Sequence, residues 1–272
     1  LIDNGRGIQA DELPLAFCRH ATSKIDRFED IYHLNSYGFR GEALASIASI
    51  SRINCQSKTQ STTGQIKIEG GHTLLHEDSK QDNNMTGTQL YIKDLFFNTP
   101  VRMKFIQSKT SEKNQLTKII RSFLLINPQV EFTIKWDQEE KEIYPITTPQ
   151  TRIKNVLSKK RQFEIVESQT SYDGVSLNIS LSKESSRGNA HKHQYLFINN
   201  RFVQDIQIHK IILNSAKDFW PEGETGHYIA KLELPSDEVD VNVHPNKTVI
   251  KLFKPAKVYG VISGTIKSKI AP

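Results

Sequence analysis

The sequence predicts a mixed α/β (α+β) protein of two domains, on three observations. Segments whose apolar residues recur every three or four positions alternate along the chain with segments in which they recur every second position. A proline-bounded connector, Pro145-Ile146-Thr147-Thr148-Pro149, interrupts this pattern, which then restarts. At 272 residues the chain is also long enough for two ordinary hydrophobic cores. The expected domains are therefore residues 1–147 and 148–272.

The elements follow in order. Leu1-Ile2-Asp3-Asn4-Gly5 opens without a methionine and reads as the end of a buried strand entering a turn, so the chain is expected to continue a longer protein upstream. Leu13, Ala16 and Phe17 share one face of a helix expected over Asp11–His20, and Ala43, Ile47 and Ile50 repeat similarly in the next. Strands are expected at Arg52–Ser57, Gly64–Glu69 and Thr88–Ile92, the last after the Gly87 turn signal. Leu116, Ile119, Ile120, Phe123 and Leu124 form an amphipathic stripe that Pro128 closes. Val130, Phe132, Ile134 and Trp136 then alternate, with Asp137–Lys141 as a hairpin tip. Past the connector, strands are expected from the alternation of Val175, Leu177, Ile179 and Leu181, and at Tyr195–Ile198, Tyr228–Leu234 and Glu238–Val243. A helix is expected over Asp205–Trp220 and a mobile polar loop over Lys183–His193.

Composition narrows the function. With 36 basic and 30 acidic residues the net charge is +6, which suits contact with a polyanion without requiring it. Cys18 and Cys55 alone cannot build a disulfide framework or a zinc quartet, so a reducing compartment is the simpler expectation. No run of roughly 18 apolar residues and no signal-peptide pattern is present, which reads as a soluble chain with no membrane partner. Walker, GxSxG, HExxH and CxxC motifs are all missing, which sets aside P-loop ATPases, serine hydrolases and zincins.

Five stretches could carry chemistry. In Asp3-Asn4-Gly5-Arg6-Gly7 the carboxylate either holds a turn through its own backbone or, if buried, accepts the exocyclic amine of adenine and repels the guanine carbonyl. Arg19-His20-Ala21-Thr22-Ser23-Lys24 could line a phosphate channel or be a solvated helix end. Gly38-Phe39-Arg40-Gly41-Glu42-Ala43-Leu44 runs glycines into a helix start, which is either a plain capped loop or a phosphate seat. Thr88 is an ordinary strand threonine unless its partner is Asp3. Lys247, after the His244-Pro245 turn, is solvated or reaches toward an anion, and His244 has no second ligand at metal spacing.

Taken in sequence, DNGRGI, RHATSKI, GFRGEALASIASIS, GTQLYIKDLFFNTPVRMKF and DVNVHPNK closely resemble the N-terminal ATPase region of the MutL family of DNA mismatch-repair proteins. That family lies in the GHKL superfamily with gyrase, chaperone ATPases and histidine kinases. The resemblance spans nearly the whole chain and implies a Bergerat-type ATP-binding sandwich followed by a transducer-like domain with a left-handed βαβ crossover. Position by position, Asp3 resembles the adenine-reading aspartate, Gly7 the glycine beside the base, and Thr88 the threonine completing the pocket. Gly38, Arg40, Gly41, Glu42, Ala43 and Leu44 match the phosphate loop, and Thr22, Ser23 and Lys24 the nucleotide lid. Lys247 resembles the lysine that reaches the γ-phosphate.

The resemblance further implies ATP and Mg²⁺ as ligands, and a homodimer, or a heterodimer if the source is eukaryotic. Its other implied partners are DNA, a mismatch-recognition protein of the MutS type and a downstream endonuclease or helicase. It implies a cytoplasmic location in a bacterium and a nuclear one in a eukaryote. Arg152, Lys154, Lys159, Lys160, Arg161, Lys192 and Arg201 are expected to supply the basic DNA groove. In the family the general-base glutamate and the Mg²⁺-binding asparagine lie on a helix upstream of Leu1, so ATP hydrolysis is expected of the intact protein and not of this segment. The competing reading is a nonenzymatic DNA-binding scaffold with a vestigial pocket.

Overall fold

A computed structural model describes residues 1–19, 41–80, 85–157, 163–188, 192–240 and 249–269. It divides into two compact units, Leu1–Glu112 and Lys113–Pro272.

Unit 1 is built on one antiparallel sheet. Its strands are β1 (Ile2–Asp3), β2 (Arg52–Lys58), β3 (Thr62–Glu69), β4 (His72–Lys80) and β5 (Gly87–Lys93), in the order β1-β5-β2-β3-β4. Strict alternation sends Ile53 and Cys55 of β2 and Ile66 and Ile68 of β3 to one face, where Ile8, Leu13 and Phe17 cover them. Helix α1 (Ala43–Ala48) adds Ile47 and Ala48 to the same cluster. β4 is an addition to the sequence reading: its two leucines are adjacent rather than alternating, and almost every residue is exposed on the sheet edge. The expected helix at Asp11–His20 is instead a turn followed by a single 3-10 turn, Leu15–Phe17, because Pro14 cannot donate within a longer helix. Leu1 and Ile2 are exposed, so the opening strand is an edge and not a buried one.

Unit 2 holds a five-stranded mixed sheet ordered β11-β10-β12-β9-β8. The strands are β8 (Ile165–Tyr172), β9 (Val175–Ser186), β10 (Gln194–Ile198), β11 (Arg201–Val203) and β12 (Thr225–Glu233). β10 and β12 are parallel, which demands a crossover, and β11 with α5 (Ile206–Ser215) supplies it. Both faces of the sheet are covered. Leu196 and Ile198 of β10 point toward α5 and α6 (Pro255–Lys269), whereas Tyr195 and Phe197 point toward α3 (Lys109–Ile126) and α4 (Pro149–Leu157). That double burial explains the unbroken apolar run of β10. The hairpin β6 (Phe132–Ile134) with β7 (Glu142–Tyr144) joins the second cluster through Tyr144. A short pair, β13 (Val239–Asp240) with β14 (Lys251–Leu252), precedes α6, and the short helix α2 (Pro100–Met103) precedes α3.

The two units meet at 112/113, within the first turn of α3. The connector is part of unit 2: Pro149 starts α4, where a missing N–H costs nothing, and Tyr144 is buried in the core. The Lys183–His193 loop is partly strand, since β9 continues to Ser186. Helix α5 stops at Ser215, five residues short of the expected end, after an N-cap in which Asp205 Oδ1 accepts from Ile208 N at 2.8 Å.

Arg152 is corrected as a DNA contact. Its side chain is wholly buried on α4, and Nη2 donates toward the carbonyls of Val130 at 2.9 Å, Pro145 at 2.8 Å and Pro128 at 3.2 Å. The guanidinium ties the segment after α3 to the end of the β6–β7 hairpin, adding to the Pro128 carbonyl's bond from Thr147 N. Arg152→Met keeps the volume and removes the donors, so the unfolding free energy should fall by about 2–4 kcal/mol. A urea unfolding midpoint unchanged from the parent protein would refute this role.

Candidate nucleotide site and its relatives

The β1–β5 ladder assembles the site. Asp3 stands directly opposite Thr88, and Thr88 stands opposite Ser57 of β2. Opposed residues share a face, so all three side chains lie on the side of the sheet that carries Cys55 and α1. Thr88 Oγ1 and Ser57 Oγ are 2.9 Å apart, and Ser57 Oγ accepts from Ile8 N at 2.8 Å. Asp3 is the register partner of Thr88, while the Thr88 hydroxyl bonds Ser57. Ser57 is the member that sequence reasoning missed; its signal was the 53, 55, 57 alternation, in which a serine takes a core position.

Asp3 behaves partly as a turn aspartate and partly as an available acceptor. Oδ1 accepts from Gly5 N at 2.9 Å, and Thr86 Oγ1 donates to Gly5 O at 2.7 Å. The second carboxylate oxygen accepts nothing from the described residues, and the side chain is exposed rather than buried as expected. Its negative charge is felt nearby: burial pushes the Cys55 thiol up to about 11 and Asp3 adds to the rise. That thiol is therefore protonated and no nucleophile.

Two glycines hold the backbone together here. Gly7 has φ +74°, and a Cβ there would lie 2.0 Å from the Lys58 carbonyl oxygen. Gly87 has φ +141°, and its Cβ would lie 2.1 Å from the Asp3 carbonyl oxygen. Only a residue without a side chain allows β1 and the following turn to approach so closely.

Of the expected phosphate loop, Gly41, Glu42, Ala43 and Leu44 are described. Glu42 occupies the N-cap of α1 without a side-chain hydrogen bond to the helix, and Gly41 has φ +61°. The far end of α1 is tied down by the FFNTP stretch: Phe96 N donates to Ile50 O at 2.7 Å and Asn98 Nδ2 to Ser49 O at 2.9 Å. Arg52 lies 4.6 Å above the Phe97 ring and pairs with Glu69 and Asp94. Thr22, Ser23, Lys24, Gly38, Arg40, Lys159, Lys160, Arg161 and Lys247 lie outside the described residues. Of the remaining basic residues, Lys154 is exposed on α4, Arg201 is half-buried on β11, and Lys192 Nζ donates to the Thr225 hydroxyl.

Comparison with solved structures defines the class. The chain is similar to the structure described as "Aquifex aeolicus MutL ATPase domain complexed with ADP", at TM-score 0.58 and 24% identity over 86% of this chain and 78% of that one. It is also similar to the B-subunit of DNA gyrase from Myxococcus xanthus, at TM-score 0.57 and 11% identity over 98% of this chain and 78% of that one. The chain thus shares the fold of these structures, a mixed α/β class. In sequence, the DNA mismatch repair protein, C-terminal domain, family matches residues 153–271. The DNA mismatch repair protein MutL of Pseudothermotoga lettingae is 35% identical over 271 residues, 98% of this chain and 48% of that protein. The chain belongs to the MutL family, and it spans about half the length of the curated relatives it matches.

Among the described residues no helix is long and apolar enough to cross a membrane, and no group of three His, Cys, Asp or Glu could hold a metal ion. Gly7→Ala forces a side chain into the Lys58 backbone and should lower stability by about 1–3 kcal/mol. Thermal denaturation checks this, and a melting temperature equal to the parent's would show that the close approach carries no constraint.

Proposed function

We propose that this chain is the ATP-binding, DNA-contacting portion of a mismatch-repair switch that acts in the cytoplasm of a bacterium. The observation that carries the reading is the Asp3–Thr88 pair, backed by Ser57, on the face that carries α1. A carboxylate oxygen that accepts nothing suits the exocyclic amine of adenine, and the threonine and serine hydroxyls extend the same polar row. Guanine presents an acceptor at that position and would be repelled.

Gly38, Arg40, Gly41, Glu42, Ala43 and Leu44 then seat the phosphates, and Thr22, Ser23 and Lys24 order over them. Lys247 offsets charge at the γ-phosphate during transfer to water. Mg²⁺ would neutralise phosphate charge when bound; the described residues offer no ligand set that fits it, and its ligand is sought in the longer protein. A nucleotide that orders a lid shifts a population toward the closed state, and closure would favour dimerisation. Lys154, Lys159, Lys160, Arg161, Lys192 and Arg201 would contact DNA phosphates. A MutS-type recognition protein and a downstream endonuclease or helicase would read the nucleotide state.

Two substitutions in the full-length protein test the nucleotide reading. Asp3→Asn should weaken ATP binding by more than tenfold, as expected for a lost acceptor–amine bond, with the fold intact by circular dichroism. Lys247→Ala should lower ATP turnover far more than it weakens ADP binding, since ADP lacks the γ-phosphate. Parent-like ATP affinity in the first variant, or equal losses in the second, would overturn the assignments.

A further inference from the structure

We propose that Ser57 fixes the hydrogen-bond polarity of Thr88 and thereby decides which edge of a base the nucleotide site accepts. The inference rests on the nucleotide function proposed above and adds to it a specificity-determining residue that acts through its neighbour. Ser57 lies on β2, wholly buried, and stands opposite Thr88 of β5, which is half-buried; Asp3, opposite Thr88 in turn, is exposed.

Three polar groups surround the Ser57 hydroxyl. Ile8 N donates to Oγ at 2.8 Å, Thr88 Oγ1 lies 2.9 Å away, and the Gly87 carbonyl oxygen lies 3.4 Å away. A backbone amide can only donate, so one lone pair of Ser57 is occupied and its single proton must point elsewhere. Hydroxyl donors sit about 2.5–3.0 Å from their acceptors, so that proton goes to Thr88 rather than to Gly87. Thr88 Oγ1 therefore accepts from Ser57. Its own proton meets no acceptor among the described residues and is left for a ligand. The reverse order, with Thr88 donating to Ser57 and Ser57 to Gly87, relies on the 3.4 Å contact and would consume the Thr88 proton.

Asp3 and Thr88 then present an acceptor beside a donor. The Asp3 carboxylate can only accept, and one of its oxygens takes nothing from the described residues. The complementary ligand edge is an amine beside an unprotonated ring nitrogen, as in N6 and N1 of adenine. Guanine and hypoxanthine carry the inverse pair, a carbonyl beside a ring N–H, and meet both protein groups with like polarity. Asp3 alone repels only the carbonyl. Rejecting the ring N–H requires Thr88 to be held as a donor, because an unrestrained hydroxyl turns and accepts from it. Ser57 supplies that restraint, and the Ile8 amide in turn restrains Ser57.

The test compares ATP with inosine triphosphate, which replaces the amine by a carbonyl and N1 by N1–H and changes nothing else. The full-length protein should bind ATP more tightly. Ser57→Ala frees the Thr88 hydroxyl, so the preference for ATP should narrow about three- to tenfold, with the fold intact by circular dichroism. A purely structural role behaves differently: leaving Ile8 N without an acceptor loosens the turn and weakens both nucleotides alike, so the ratio stays put. An unchanged ratio in the variant, or equal affinities in the parent, overturns the proposal. Should the parent bind no ATP, the nucleotide function falls by itself. Neutron diffraction from the nucleotide-free protein then decides the hydroxyl order, as it does should the variant not fold. Deuterium on Ser57 Oγ directed at Thr88 supports the proposal, and deuterium on Thr88 Oγ1 directed at Ser57 refutes it.

Discussion

The register of β1 against β5 is the constraint on which the nucleotide site depends. Strand side chains alternate with a period of two, so a slip of one residue would move Asp3 to the opposite face of the sheet, away from Thr88, Ser57 and α1. Ile2 opposite Gln89 and Asp3 opposite Thr88 set that register with only two residues of strand. The backbone compensates by close approach: a side chain at Gly87 would run into the Asp3 carbonyl, and one at Gly7 into the Lys58 carbonyl. A weakly specified two-residue strand is thereby held by sterics rather than by length.

The same logic of faces organises unit 2 with opposite polarity. There the central strand β10 is buried on both sides, and its alternation separates two cores rather than core from water. The α3–α4 side contains a charge with no carboxylate partner among the described residues: Arg152, stabilised by backbone carbonyls and lying near the rings of Phe132 and Tyr144. A planar guanidinium can gather carbonyls from separate loops, which a lysine cannot do with equal geometry. Its burial shows why a tally of basic residues overstates a DNA surface, since charge in a sequence does not say which charges meet solvent.

Histidines make a related point about chemistry. His193 and His227 lie 34 residues apart and neither forms part of a recognisable motif. They meet because β10 and β12 are parallel neighbours, with Gln194 opposite Tyr228 in register. Parallel pairing places the starts of the two strands at the same end of the sheet, and α3 brings Arg121 to that end. Tertiary topology creates the cluster.

What the sequence determined by itself was the α/β class, the positions of β2, β3, β5, β10 and β12, and the identity of Asp3, Gly7 and Thr88 as candidates. Those features rest on local periodicity and on a stretch-by-stretch resemblance, both of which survive in one dimension. It read Pro149 as part of a connector because proline serves equally well in a linker and at a helix start, and only the packing of Tyr144 and Ile153 around one core distinguishes them. It passed over β4, whose polar edge has no alternation to read, and Ser57, whose hydroxyl matters only once Thr88 and Ile8 are beside it. The burial of Arg152 and the meeting of the two histidines belonged to the tertiary structure alone. Both depend on which donors and acceptors distant segments bring within hydrogen-bond distance, a quantity that neighbouring residues in the chain do not encode.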